Sequence, residues 1–258
     1  MENIKLGFGQ MGSALANGIM KYNIINKKNI YYHEPTKKND TFNYLNSNKE
    51  VICVCDIIIC AVKPDIVSNI LKDIGPYLSS KLLISICAGI KIEKLEQLVG
   101  QNNKVARVMP NTPCLVGKSA STFCVNKNVS DIDKKYIIDI FSSCGIIYEI
   151  KEKDMDIATA LIGSGPAYVY LFIESLIDAG VKNGLSRDLS KKLVLQTIRG
   201  SVHMINLSDL SVQQLKDNVC SPGGTTSVGL FTLEKNNFKY AIIDAVDAAC
   251  EKSKLMSK

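Results

Sequence analysis

Tryptophan is absent from this sequence, and histidine occurs only at His33 and His203, far apart and outside any metal-ligand spacing. Nine cysteines are present, but no CxxC pair. Their number is odd, and most lie inside apolar runs such as residues 51–62 and 82–88, where Cys packs as a small hydrophobe. These features predict a reduced, cytoplasmic protein with no metal site. No apolar run reaches the length of about eighteen residues that a membrane span needs, so no membrane partner is expected. The opening residues, MENIKLGFGQMG, contain no basic stretch followed by an apolar one, so no secretory signal is expected. The net charge is +6, yet the lysines are scattered among acids. A nucleic-acid binder would carry a basic block or face, and none is visible.

With 258 residues and 46% hydrophobic content, the chain can bury a core in one large or two modest domains. Residues 4–8 form an apolar-rich strand candidate. It runs into Gly7-Phe8-Gly9-Gln10-Met11-Gly12, a G-x-G-x-x-G, and then a helical pattern over 13–21. Such glycines permit a tight turn, close backbone approach to a pyrophosphate, and close packing of helix on strand. A strand pattern over 29–35 brings Glu34 to where a carboxylate would meet the adenosine ribose. There it would bond the 2′-hydroxyl and repel a 2′-phosphate. Lys37 and Lys38, just beyond, would offset that repulsion, so NADH and NADPH both stay open. Residues 56–62 read as a buried strand stopped by Lys63-Pro64. A helix at 66–74, a strand at 81–88, a helix at 90–99 and a strand at 104–109 follow. Buried strands alternating with short helices predict an α/β fold with a Rossmann-type, doubly wound parallel sheet. The rigid MPNTP turn at 109–113 closes the last strand. Residues 119–125 and 146–149 could add edge strands around a helix at 131–143.

From KEKD at 151–154 onward the pattern is helical only. The predicted helices cover 156–162, 167–183, 190–205, 212–219, 226–235 and 238–256. Domains of 1–150 and 151–258 are therefore expected, the second all-helical. Helix 167–183 is apolar around most of its circumference, which requires enclosure by other helices or by a partner subunit. Ser221-Pro222-Gly223-Gly224-Thr225-Thr226 ends one helix and starts the next, with the threonines as candidate caps. A Gly-Gly turn feeding a helix leaves N–H groups pointing one way, in a field of partial positive charge, ready for a small anion. A dinucleotide domain joined to a helical domain with such a turn predicts a hydride-transfer enzyme acting on a small anionic substrate.

GFGQMGSAL at 7–15, AVKP at 61–64, MPNTP at 109–113, GSGPAYVYLFIESLIDAGVKNGL at 163–185 and LKDNVCSPGGTTSVGLFTLE at 215–234 carry a resemblance over nearly the whole chain. The sequence resembles the pyrroline-5-carboxylate reductases. The last two motifs are specific together; the first two are shared with many dehydrogenases. The resemblance implies reduction of 1-pyrroline-5-carboxylate to L-proline by NADPH or NADH, in a homodimer with a helical dimerisation domain or in a ring of dimers. It also implies roles by position. Phe8, Gly9, Gln10, Met11 and Gly12 would hold the pyrophosphate. Asn48, Ala61, Val62, Lys63, Pro64, Cys87 and Ala88 would make further nucleotide contacts, and Glu34 stands where NADPH-using members often carry Ser. Asn218 would stand where cofactor meets substrate. Ser221, Gly224, Thr225 and Thr226 would hold the substrate carboxylate and imine, with Thr226 donating to the ring nitrogen. Glu152 would match an acid of the substrate pocket. The β-hydroxyacid dehydrogenases share this layout but need a lysine one turn into the helix after their second glycine motif, where Tyr168, Val169 and Tyr170 stand here. A nucleotide sensor on the same fold would have no use for a second anion site at 221–226.

Overall fold

The computed structural model describes residues 3–5, 10–34, 41–62 and 64–256. Its strands are β1 (Ile4–Lys5), β2 (Ile30–Tyr32), β3 (Asn43–Tyr44), β4 (Ile57–Cys60), β5 (Leu82–Ser85), β6 (Lys104–Met109), β7 (Ser119–Val125) and β8 (Gly145–Glu149). Among the described residues these form one sheet in the order β3-β2-β1-β4-β5-β6-β7-β8. The first six follow the doubly wound order of dinucleotide-binding folds. All neighbours pair in parallel except β6 and β7, which run antiparallel with Arg107 opposite Cys124. The doubly wound parallel sheet is thus as expected through β6, and the expected edge strands join it at β7, where the direction reverses. The link between β6 and β7 holds only the MPNTP turn and a 3-10 turn, Thr112–Val116, too short for the crossover that a parallel pair needs.

Helices cover both faces of the sheet: α1 (Gln10–Lys21), α2 (Asn48–Val54), α3 (Pro64–Ile74), α4 (Ile92–Val99) and α5 (Asp131–Ser142). Successive strand residues point to opposite faces. Ile57 and Ile59 therefore join the cluster of Leu15, Ile19, Ile137 and Phe141 under α1 and α5. Ile58 and Cys60 join Val51, Val67, Leu71 and Leu95 under α2, α3 and α4. In α3, Val67, Leu71 and Ile74 recur at helical spacing and are buried. Side chains fix the helix starts: Ser47 accepts from the Glu50 amide ahead of α2, and Ser130 with Asp133 closes a capping box ahead of α5.

The second half contains α6 (Met155–Ala158), a π-helical turn Thr159–Gly163, α7 (Gly165–Lys182), α8 (Arg187–Leu207), α9 (Val212–Asn218), α10 (Thr225–Lys235) and α11 (Phe238–Met256). By contacts the chain divides into Met1–Pro166 with Asp247–Lys258, and Ala167–Val246. The change of pattern at KEKD marks where strands stop, but the first helical turns stay with the sheet. In the helical unit, α7 and α8 approach closely because Gly180 has no side chain; a Cβ there would stand 2.6 Å from Ser190 Oγ. Among the described residues of 167–246, Ser190 is the one buried side chain. The helical run Glu152–Lys182 is apolar and long enough, by length and composition alone, to cross a membrane. The absence of an unbroken apolar run did not reveal this, because an averaged hydropathy tolerates the charges that interrupt it.

Candidate active site

Glu34, Asn48, Ala61 and Val62 line one cavity of about 150 Å³ at the ends of β2 and β4. Cys87 belongs to the same edge: its thiol donates to the Val62 carbonyl at 3.2 Å. The Cys60 thiol is pushed well up by a hydrogen bond with the Cys87 thiol and by burial. The same bond, partly offset by burial, holds Cys87 down at about 7. Ala88 follows Cys87 and is partly buried. Gln10, Met11 and Gly12 form the first turn of α1, so the helix starts inside the glycine motif rather than after it. Phe8, Gly9 and Lys63 lie outside the described residues, as do Lys37 and Lys38. Pro64 is the first residue of α3. The cavity's apolar walls, its amide and its carboxylate suit an adenosine ribose.

In the helical unit, Gly224 is the N-cap of α10, with φ −76° and ψ 167°, and no side chain caps the helix. Thr225 and Thr226 are thus the first two helical residues and not caps. Gly223 takes φ +69°, a left-handed conformation that any side chain would strain. The turn is closed by the Gly224 amide on the Ser221 carbonyl at 3.0 Å. Ser227 Oγ donates to that same carbonyl at 2.7 Å. The first N–H groups of α10 have no intrahelical acceptor, and no side chain caps them. Asn218 ends α9 and is exposed, as is Ser221.

Glu152, expected as an acid of the substrate pocket, bonds to α4 and β6. Its Oε1 accepts from the Ile92 amide, at the first turn of α4, at 2.6 Å. The same oxygen lies 3.7 Å from Arg107 Nη1. Arg107, buried within β6, also reaches Asp156 at 3.9 Å. Asp156 in turn accepts from Ser253 of α11 at 2.7 Å. These bonds tie strand, helical run and last helix together, and sequence reasoning missed all but Glu152.

Asn111 was also missed. Pro166 has no N–H, so the carbonyl four residues earlier, on Ile162, lacks its helical donor. Asn111 Nδ2 supplies one at 3.0 Å. Its Oδ1 accepts from Ser119 Oγ at 3.0 Å and from the Ala120 amide at 3.1 Å. The signal was in the sequence: a proline in the first turn of α7 orphans one carbonyl of the preceding helical turn. Asn111→Ala strands that carbonyl and the Ala120 amide, at an expected cost of about 2–3 kcal/mol. Asn111→Asp keeps both acceptor contacts yet sets a carboxylate against the Ile162 oxygen, so thermal denaturation should find it no more stable than Asn111→Ala. A melting temperature for either variant equal to that of the parent would contradict this role.

The chain matches the family model for pyrroline-5-carboxylate reductase dimerisation over residues 152–256. It also matches the model for NADP oxidoreductase, coenzyme F420-dependent, over residues 5–89. It is 38% identical to a pyrroline-5-carboxylate reductase of Glycine max, across 99% of this chain and 97% of that one. A pyrroline-5-carboxylate reductase of Methanosarcina acetivorans is 36% identical, with both chains covered fully. Among solved structures, a Plasmodium falciparum pyrroline carboxylate reductase with NADP bound is 66% identical. Its TM-score is 0.95, covering 100% of this chain and 98% of that one.

Proposed function

The chain belongs to the pyrroline-5-carboxylate reductase family, NAD(P)-dependent oxidoreductases of proline biosynthesis, and we propose how its own residues divide that work. The observation that carries the reading is the start of α10, where a glycine N-cap and a left-handed Gly223 present backbone donors that no side chain occupies. The amides of Thr225 and Thr226, with the Ser221 hydroxyl, hold the carboxylate of 1-pyrroline-5-carboxylate. Thr226 Oγ1 donates to the ring nitrogen. When bound, NAD(P)H supplies the hydride that the imine carbon receives, and the nitrogen takes a proton to give L-proline. A cyclic imine is basic enough to arrive partly protonated, so a hydrogen-bond donor suffices where a strong acid would otherwise be needed. Holding the two reactants in line is the larger contribution.

The adenosine end of the cofactor occupies the cavity lined by Glu34, Asn48, Ala61 and Val62, with Cys87 and Ala88 at its edge. Gln10, Met11 and Gly12, with Phe8 and Gly9, lie along the pyrophosphate, Lys63 and Pro64 complete the nucleotide contacts, and Asn218 stands at the junction with substrate. Glu152 is left to its bonds with Ile92 and Arg107. The oligomer is a homodimer or a ring of dimers. The apolar surface spread over every helix of the 167–246 unit supports a second copy as its cover, in preference to a bilayer. Nine unpaired thiols support a reducing, cytoplasmic compartment. The test is oxidation of NADPH and of NADH, followed by loss of nicotinamide absorbance, with and without 1-pyrroline-5-carboxylate. Substrate-dependent oxidation of at least one cofactor with formation of proline is expected; none with either would end this reading.

A further inference from the structure

A lysine is rarely buried in the middle of a sheet, yet Lys5 is. It sits on β1 between the parallel neighbours β2 and β4, opposite Tyr31 and Ile58. It is only 7% exposed. Its neighbour Ile4 enters the core under α1 and α5, so alternation turns the Lys5 side chain to the other face of the sheet. There its ammonium donates to Asn48 Oδ1 at 2.7 Å. Burial pushes the ammonium below its ordinary range, with the Glu34 carboxylate among the groups that partly restore it.

A buried ammonium with a neutral amide as its close partner is expensive, and such a group in a cleft marks a site built for an anion. Such a cleft is present: Lys5, His33, Glu34, Asn48, Ala61 and Val62 line the same cavity. His33 is turned to the Leu45 carbonyl through Nδ1 at 3.0 Å. Lys5 is therefore the one lysine that lines this cavity among the described residues. Glu34 alone would repel a phosphomonoester on the ribose; Lys5 offsets its charge from the floor of the same cavity. This rests on the placement of adenosine given above. We propose that Lys5 is a specificity-determining residue that receives the ribose 2′-phosphate, so that the enzyme binds NADPH in preference to NADH although Glu34 stands at the ribose.

The experiment is calorimetric titration of the full-length protein, without substrate, with NADPH, NADH, 2′,5′-ADP and 5′-AMP. In the parent protein 2′,5′-ADP should bind more tightly than 5′-AMP. Lys5→Met places an apolar side chain of similar length against an apolar wall. It should weaken NADPH and 2′,5′-ADP about tenfold or more, the scale of one charge-assisted bond, and leave NADH and 5′-AMP little changed. Glu34→Gln, which needs no change inside the sheet, should tighten NADPH and weaken NADH. Equal weakening of all four ligands by Lys5→Met would place the ammonium at the pyrophosphate, or make it merely structural, and would overturn the proposal. So would a parent protein that binds 5′-AMP as tightly as 2′,5′-ADP. Ala61→Trp, which fills the cavity, separates the two readings: if NADPH and NADH still bind it as the parent does, the placement of adenosine itself fails.

Discussion

Thr226→Val is expected to lower kcat about a hundredfold, within the range for loss of one proton-donating group, while the Kd for NADPH changes by less than about twofold. Three features of the site isolate the hydroxyl. Gly224, not Thr226, caps α10, so valine removes no cap. Thr226 is the second residue of the helix, and valine and threonine have similar helix propensity and shape. The amides proposed to hold the carboxylate are untouched, so substrate should still dock. What is lost is the donor to the ring nitrogen at the moment charge leaves the iminium. Without it, turnover depends on imine that arrives already protonated, and the deficit should widen as pH rises. Thr226→Ser keeps a donor and should recover most of the rate. Single-turnover kinetics with fluorescence titration of NADPH checks both halves; equal loss of turnover and cofactor affinity, or no loss, would remove Thr226 from the chemistry.

The sheet was legible where burial is complete on both faces. Residues 104–109 are a strand as expected, because Val105, Ala106 and Val108 are buried and MPNTP cannot continue the ladder. Two elements escaped: β3 has two residues and α2 has seven, too few for a period to show. The start of α8 was placed late because Ser186, its N-cap, announces the helix before any apolar residue does. At the site, the Gly-Gly turn was legible as an anion-ready helix start, since Gly223 needs a left-handed backbone and Gly224 cannot cap with a side chain. The threonines misled because Thr is a good cap wherever no glycine stands ahead of it. Asn111, Arg107 and the second role of Glu152 depend on partners far along the chain: Asn111 meets Ile162 51 residues on, and Glu152 meets Ile92 60 residues back. No local pattern encodes such pairs. Lys5 was legible in principle, as a lone charge in an apolar strand next to the glycine motif.

Leu171→Glu combined with Leu193→Glu is expected to abolish the oligomer and with it much of the helical signal. In one copy Leu171 of α7 is 63% exposed and Leu193 of α8 is 51% exposed, with Leu207 at 74% and Phe231 at 70% on α8 and α10. Ser190 being the one buried side chain described there, residues 167–246 have no core of their own, and helices of this kind owe most of their stability to packing. A second copy supplies it. Burying a large apolar side chain contributes about 1.5–3 kcal/mol. A dozen such side chains per copy outweigh an association cost of roughly 4–15 kcal/mol. The parent should therefore sediment as a dimer or larger at the lowest measurable concentration, and its melting temperature should rise with concentration. Two buried carboxylates across such an interface carry no compensating partner. The double variant should sediment as a monomer or as aggregate, with reduced far-ultraviolet helicity, while the α/β unit, which has its own two-faced core, should still bind NADPH, as followed by the fluorescence of the nicotinamide. Were the parent a monomer with full helicity at low concentration, the exposed leucines would have to be stable in water, and the helical unit would need no partner.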